Sequence, residues 1–171
     1  MQMEDKIQTL RTQGYKELKT DSGTGSRILI NDNSGHVIKF NQDEAYAKFA
    51  DFCLLNPSLA VPKIFSHVYP LGDFVPMSNE AYTIAEMELL YVLSPEEQGE
   101  VLAWIEAVFA TLRSGKSASS HPEDPFDLLD TFAALQSEAQ RIGAQLDMLK
   151  GTNFLKRKAR HERILFSDPF N

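Results

Sequence analysis

The spacing of hydrophobic positions changes character several times along the chain. Ile7 and Leu10 lie three apart in an otherwise polar opening, a weak helical signature over residues 1–14. Residues 15–18 read as a short strand. The turn-forming run Asp21-Ser22-Gly23-Thr24-Gly25-Ser26 then leads into Arg27-Ile28-Leu29-Ile30, which has the β-branched content of a strand. A second turn, Asn31-Asp32-Asn33-Ser34-Gly35, delivers the chain to His36-Val37-Ile38-Lys39-Phe40, so residues 15–40 are expected as three antiparallel strands. From Asp43 the period becomes helical, with Ala45, Tyr46, Phe49, Phe52 and Cys53 on one stripe until Asn56-Pro57 stops it. Residues 62–69 and 81–90 supply two further apolar strands around the loop 70–80. A five-stranded sheet with one helix is therefore expected by residue 90.

After Leu93 the pattern is mostly helical. Ser94-Pro95-Glu96-Glu97 combines an N-cap serine, proline in the first helical position and glutamate in the third, and is followed by the stripe Val101, Leu102, Ile105, Val108, Phe109 and Leu112. Residues 114–123 form a Ser/Gly/Pro-rich linker. A second long helix is expected from about Asp124, carrying Phe126, Leu129, Phe132, Leu135, Ala139, Ile142 and Leu146 and ending at Gly151-Thr152. Phe154-Leu155 and Ile164-Leu165-Phe166 flank a basic turn and predict a hairpin. No internal repeat is visible.

Composition narrows the picture. The chain has 171 residues, 43% hydrophobic and 24% charged, which matches a folded domain and not a disordered tail. Its net charge of −7 argues against binding a phosphate backbone. The single cysteine, Cys53, sits in an apolar run and reads as a core thiol, so nothing asks for an oxidising compartment. No signal-peptide pattern and no run of eighteen apolar residues occurs, so a cytoplasmic protein without a membrane span is expected. The four histidines are scattered and form no metal cluster with cysteine, and no Ser-His-Asp arrangement stands out.

Several polar residues carry candidate chemistry. Gly23-Thr24-Gly25-Ser26 is a glycine-bearing turn between strands, of the kind that lets backbone amides approach phosphate oxygens, although most such turns are only turns. Lys39 ends a strand that is apolar apart from His36, either snorkelling from an edge or serving an anion. Glu44 opens the next helix, where a carboxylate suits the helix dipole and could also pair with Lys39. Asn153 and Asp168 flank the predicted hairpin and offer the oxygen ligands that magnesium takes, and Asp147 just upstream could orient an attacking hydroxyl. The run Lys156-Arg157-Lys158-Ala159-Arg160-His161-Glu162-Arg163 is a solvated hairpin tip or a dock for an acidic partner or a substrate phosphate.

Taken in order, Gly23 to Ser26, Val37-Ile38-Lys39, Glu44, residues 84–88, Asp147, Asn153 and Asp168-Pro169-Phe170 follow the motif order of protein kinases. The chain resembles the very small protein kinases of lytic bacteriophages and bacterial effectors, whose metal motif often reads Asp-Pro-hydrophobic. Asp147 precedes Asn153 by six residues, where the family usually has five. The resemblance covers residues 15–171. It implies that Gly23, Thr24, Gly25 and Ser26 cover the nucleotide, Lys39 contacts its phosphates and Glu44 holds Lys39. It further implies that Glu86, Met87 and Glu88 lie in a hinge facing adenine, that Asp147 is the catalytic base, and that Asn153 and Asp168 hold magnesium.

The expected fold is α+β and kinase-like, with a sheet lobe over 1–84, a hinge over 85–89, and a reduced helical lobe over 90–171 that lacks an activation segment. The implied cofactors are ATP and Mg2+. The implied activity is phosphorylation of a serine or threonine on a host protein, in the host cytoplasm. Two alternatives stand beside it: an inactive kinase-like module that binds and inhibits a host protein, and a small-molecule kinase. Retention of Lys39, Asn153 and Asp168 together favours activity, because a binding module needs none of them.

Overall fold

Turn chemistry organises the first half of the chain. In the computed structural model, which describes residues 3–19, 26–72, 81–157 and 163–171, β2 (Arg27–Asn31) and β3 (His36–Asn41) are joined by a turn built on Asn31. Its Oδ1 accepts from the backbone N–H groups of Asn33 and Ser34. Gly35 closes the turn at φ 67°, a left-handed conformation that glycine adopts without a Cβ penalty. With β1 (Lys16–Leu18), β4 (Ile64–Val68) and β5 (Thr83–Glu88) the strands form one antiparallel sheet in the order β1-β2-β3-β5-β4, as the alternation of apolar residues predicts.

Successive residues of a strand face opposite sides, and each face of this sheet meets a different helix. On one side, α1 (Met3–Thr12) inserts Ile7 into a cluster of Leu29, Ile38, Phe40 and Tyr82. Burying each of these side chains contributes about 1.5–3 kcal/mol. On the other side, α2 (Glu44–Leu55) buries Tyr46, Ala47, Phe49, Ala50, Phe52 and Cys53. It is tied to β4 and the residue after it by Asp51, whose carboxylate bonds His67 Nδ1 and the Tyr69 hydroxyl, each at 2.6 Å. Burial pushes the Cys53 thiol well above its usual range, the state of an inert core residue.

The chain forms two compact units. One runs to Leu55 and resumes over Lys63–Leu89, and the other comprises Asn56–Pro62 and Leu90–Asn171. The long stretch of the second unit starts at Leu90, where the helical lobe was expected to start, while 85–89 group with the first unit and 56–62 with the second. Within that unit Ala60 donates its N–H to Thr131 Oγ1, and Phe166 donates to the Ala60 carbonyl, so the buried backbone of the excursion is satisfied.

The second unit holds β6 (Tyr91–Val92), α3 (Pro95–Arg113), α4 (Leu129–Ile142), β7 (Phe154–Lys156) and β8 (Ile164–Phe166). The capping box is formed as expected: Ser94 Oγ accepts the Glu97 N–H, and the Glu97 carboxylate accepts the Ser94 N–H. Two expectations are corrected. α4 begins at Leu129, not near 124, because the Asp124 carboxylate captures the N–H groups of Leu128 and Leu129 and holds 124–128 as a turn. It ends at Ile142 because Gly143 takes a left-handed φ of 70° as the C-cap, which leaves Leu146 outside the helix. The hairpin β7–β8 appears as predicted, with β6 added at its edge to give the order β6-β7-β8. The fold is thus α+β, and no described helix is long and apolar enough to cross a membrane.

Candidate functional site

The second unit brings three of the predicted residues together through its backbone. Phe154 pairs with Phe166 at the open end of the β7–β8 hairpin. The next rung is Asn153 opposite Ser167, where the Ser167 N–H donates to the Asn153 carbonyl at 2.8 Å. Asp168 follows immediately. The tail then runs antiparallel to 145–147: Asp147 donates its N–H to the Pro169 carbonyl at 2.8 Å, and Gln145 and Asn171 exchange two bonds of 2.9 Å. Leu146 and Phe170 form the bridge between them. Asp147, Asn153 and Asp168 therefore sit where three backbone segments are stitched to one another, above a floor of fully or almost fully buried Met148, Phe154, Phe166 and Phe170.

One side-chain bond completes the arrangement. Asn153 donates from Nδ2 to the Asp147 carbonyl at 2.5 Å. Because an amide presents its N–H groups and its oxygen on opposite sides, this bond also sets the direction of Asn153 Oδ1. The contact spans six residues, with the intervening Leu149 left 57% exposed between buried Met148 and exposed Lys150. Gly151–Asn153 closes the loop as one 3-10 turn. Gly151 admits the Gln98 side chain, whose Oε1 would lie 2.6 Å from an added Cβ.

Lys150 is a partner of Asp147 that the sequence reading missed. Its Nζ lies 2.5 Å from Asp147 Oδ2, and this hydrogen bond, with the charges of Asp147 and Asp168, raises its pKa above the usual lysine range. An i,i+3 Asp/Lys pair was the available signal, but such pairs are common on any surface. A carboxylate and an amide oxygen, both hard donors, suit magnesium, whose remaining positions go to water and phosphate oxygens. Among the described residues no group of three His, Cys, Asp or Glu side chains converges on a metal position.

The first unit carries the remaining candidates. Lys39 lies on β3 between Ile28 of β2 and Ala85 of β5, and its Nζ sits 3.3 Å from the centroid of the Tyr46 ring. The ion pair of Glu44 is with Lys48, at 2.8 Å and four residues on, instead of the expected one with Lys39. Ser26 is described just before β2, whereas Gly23, Thr24 and Gly25 lie outside the described residues. Glu86, Met87 and Glu88, expected in a hinge, fall within β5, where Glu86 and Met87 have strands on both sides and Glu88 is the last residue, opposite His36. Their side chains are also committed. Glu86 Oε1 bonds His36 Nδ1 at 2.7 Å, Glu88 Oε1 accepts the Lys63 N–H, and Met87 Sδ accepts the Tyr46 hydroxyl at 3.6 Å.

The described part of the basic run is engaged within its own unit. Lys156 pairs with Glu97 at 2.6 Å, Arg157 donates to the Val61 carbonyl, and Arg163 pairs with Asp127, while 158–162 lie outside the described residues. Lys156 is the main cause of a lowered Glu97 pKa. No protein-family model matches the chain, and no curated protein matches it either.

Proposed function

We propose that the protein is an ATP- and magnesium-dependent phosphotransferase of the protein-kinase type, acting on a hydroxyl of a host protein. The observation that carries this reading is the Asn153 amide, donated to the Asp147 carbonyl while Asp168 occupies the next position past the hairpin. Phosphoryl transfer asks the protein mainly for positioning and charge neutralisation. Asp147 supplies a carboxylate that Lys150 holds through one oxygen, so the group can accept a hydrogen bond from the attacking hydroxyl and take its proton. Asn153 Oδ1 and the Asp168 carboxylate would hold the magnesium ion, which when bound neutralises charge on the phosphate oxygens. Lys39 is the cation assigned to those phosphates, with Ser26 at the end of the nucleotide-covering turn. The strand positions of Glu86, Met87 and Glu88 leave adenine recognition without an assigned residue.

The test is transfer of labelled γ-phosphate from ATP to the proteins of a host lysate, comparing the protein with Asp168→Ala. Labelled bands should appear with the first and not the second. A thermal shift accompanies it, because MgATP at about a hundred times its dissociation constant adds roughly 2.7 kcal/mol of stability. Neither label nor shift would overturn the proposal and favour a module that only binds. Label on a metabolite instead of a protein would move the reading to a small-molecule kinase.

A further inference from the structure

One face of the first sheet is unevenly covered. α1 seats Ile7 on Leu29, Ile38, Phe40 and Tyr82, so its weight lies over β2 and β3. The same face continues past it onto β5 and the edge strand β4. There Phe40, Ile84 and Val68 stand opposite one another across three strands and make an apolar rung. Two residues along, Ile38, Glu86 and Ser66 make the next. These rungs and the flank of α1 line a cavity of about 370 Å3, which lies wholly within the first unit. That volume falls in the range of small-molecule sites.

The cavity has an apolar end and a polar end. Val68 stays 48% exposed at the apolar end, and Glu86 at the polar end is bonded to His36 at 2.7 Å. Lys6 supplies a cation in the α1 wall. Within α1 the positions three and four residues from it are Met3, Thr9 and Leu10, so the helix offers it no carboxylate at ion-pair spacing. Two contacts fix which end it serves. Glu4 pairs with Arg27, which lies opposite Phe40, and a Cβ added at Gly14 would lie 4.0 Å from Asn31 Nδ2 in the β2–β3 turn. The helix therefore runs from the Phe40 end toward the turn, with Lys6 beside the apolar rung. A partner helix docked alongside α1 would need apolar anchors over about 10 Å of groove. In that direction the floor turns polar after about 7 Å, at Glu86 and Ser66. The shape suits a short ligand.

We propose that this cavity binds a small amphiphile with a carboxylate head and a hydrocarbon tail of about eight carbons, the length that spans the two inter-strand gaps of the rung. The tail lies across Phe40, Ile84 and Val68, and the carboxylate meets Lys6. Lys39 stands between Ile38 and Phe40 on β3 and projects from the opposite face, toward α2. The site is thus separate from the residues assigned to the nucleotide, and it stands whether or not the phosphotransferase reading does.

The experiment titrates the methyl-labelled full chain with hexanoate, octanoate and decanoate, using octanol and octylammonium as neutral and cationic controls, and follows NMR shifts. The methyl groups of Leu10, Ile38, Val68 and Ile84 should move first. Affinity should rise about fourfold per methylene from hexanoate to octanoate and level off at decanoate, once the rung is filled. Octanol should bind about fivefold more weakly than octanoate, the scale of a part-exposed ion pair, and octylammonium more weakly again. Lys6→Gln should lower octanoate to the level of octanol and leave octanol unchanged. Val68→Gln, at a half-exposed position that tolerates a polar side chain, should weaken both by about fivefold. Methyl shifts scattered over the surface or centred elsewhere would overturn the proposal. So would octanol binding as tightly as octanoate, or an octanoate affinity that Lys6→Gln leaves unchanged. The absence of any shift at millimolar octanoate would overturn it as well.

Discussion

Asp147, Asn153 and Asp168 in the second unit and Lys39 in the first are fixed by different kinds of contact. The former stand at the crossing of three backbone segments, where main-chain hydrogen bonds from Asp147 to Pro169 and from Ser167 to Asn153 set their positions before any side chain is considered. Lys39 sits on a strand, and its ammonium lies over the ring of Tyr46 on α2. A constellation placed by backbone bonds can leave a residue such as Leu149 exposed between its members without breaking the rung beside it. A cation carried on a strand depends as well on the side chains that pack around it. Substitutions beneath the first should damage stability and chemistry together, whereas substitutions around the second should separate them.

The largest effect is expected at the floor of the backbone-placed site. Phe166→Ala removes a fully buried ring from β8 and should cost about 3–5 kcal/mol in urea-induced unfolding. It should weaken MgATP binding in parallel, and a large stability loss with unchanged nucleotide binding would break the comparison. Asp168→Ala removes a proposed metal ligand and should lower the transfer rate on the order of a thousandfold, with a much smaller change in melting temperature. Asn153→Ala deletes the donor to the Asp147 carbonyl and should cost about 1–3 kcal/mol of stability if that bond organises the loop. An unchanged unfolding curve would mean that the backbone alone holds the segment.

Smaller effects sharpen the contrast further. Ser94→Ala opens the capping box of α3 and should cost about 1 kcal/mol, measurable as a shift in the urea midpoint. The smallest expected effect concerns acid. The Glu17 carboxyl is held below its ordinary value of 4.5, first by its hydrogen bond to Arg27 and also by Arg11, against the opposing effect of burial. A depressed pKa means that its contribution is complete above about pH 4.5 and is lost as pH falls through the lower folded value. Glu17→Gln should therefore flatten the stability profile below pH 4.5 by a few tenths of a kcal/mol, the usual scale of a part-exposed pair. An unchanged acid limb would show that the Arg27 network does not extend its hold to the fold.

How far the sequence was legible follows from the same distinction. The five strands of the first sheet, the α2 stripe and the 154–166 hairpin could all be read, because alternation and helical spacing report which face of an element is buried. The α3 start was equally plain, since Ser94 and Glu97 act on neighbouring atoms. That Asn153 and Asp168 flank the base of one hairpin could be read because the ends of a hairpin are brought together whatever else the chain does. The sequence did not show that 86–88 would fall inside β5, because the content of a strand does not say how many strands lie beside it. The α4 boundaries were misread because Asp124 and Gly143 end regularity through hydrogen bonding and backbone conformation, not through the stripe.

What the sequence determined by itself was local: which stretches are strands, which are helices, where the turns fall, and which oxygen-bearing residues end up at a hairpin base. Tertiary structure alone decided that Lys39 faces Tyr46 while Glu44 takes Lys48, that Lys150 grips Asp147, and that residues 56–62 fold with the second unit. The reason is physical. Periodicity encodes the solvent preference of each face, an averaged and additive quantity, whereas the partner of a charged group is chosen by whichever side chain packing brings within a few ångströms of it.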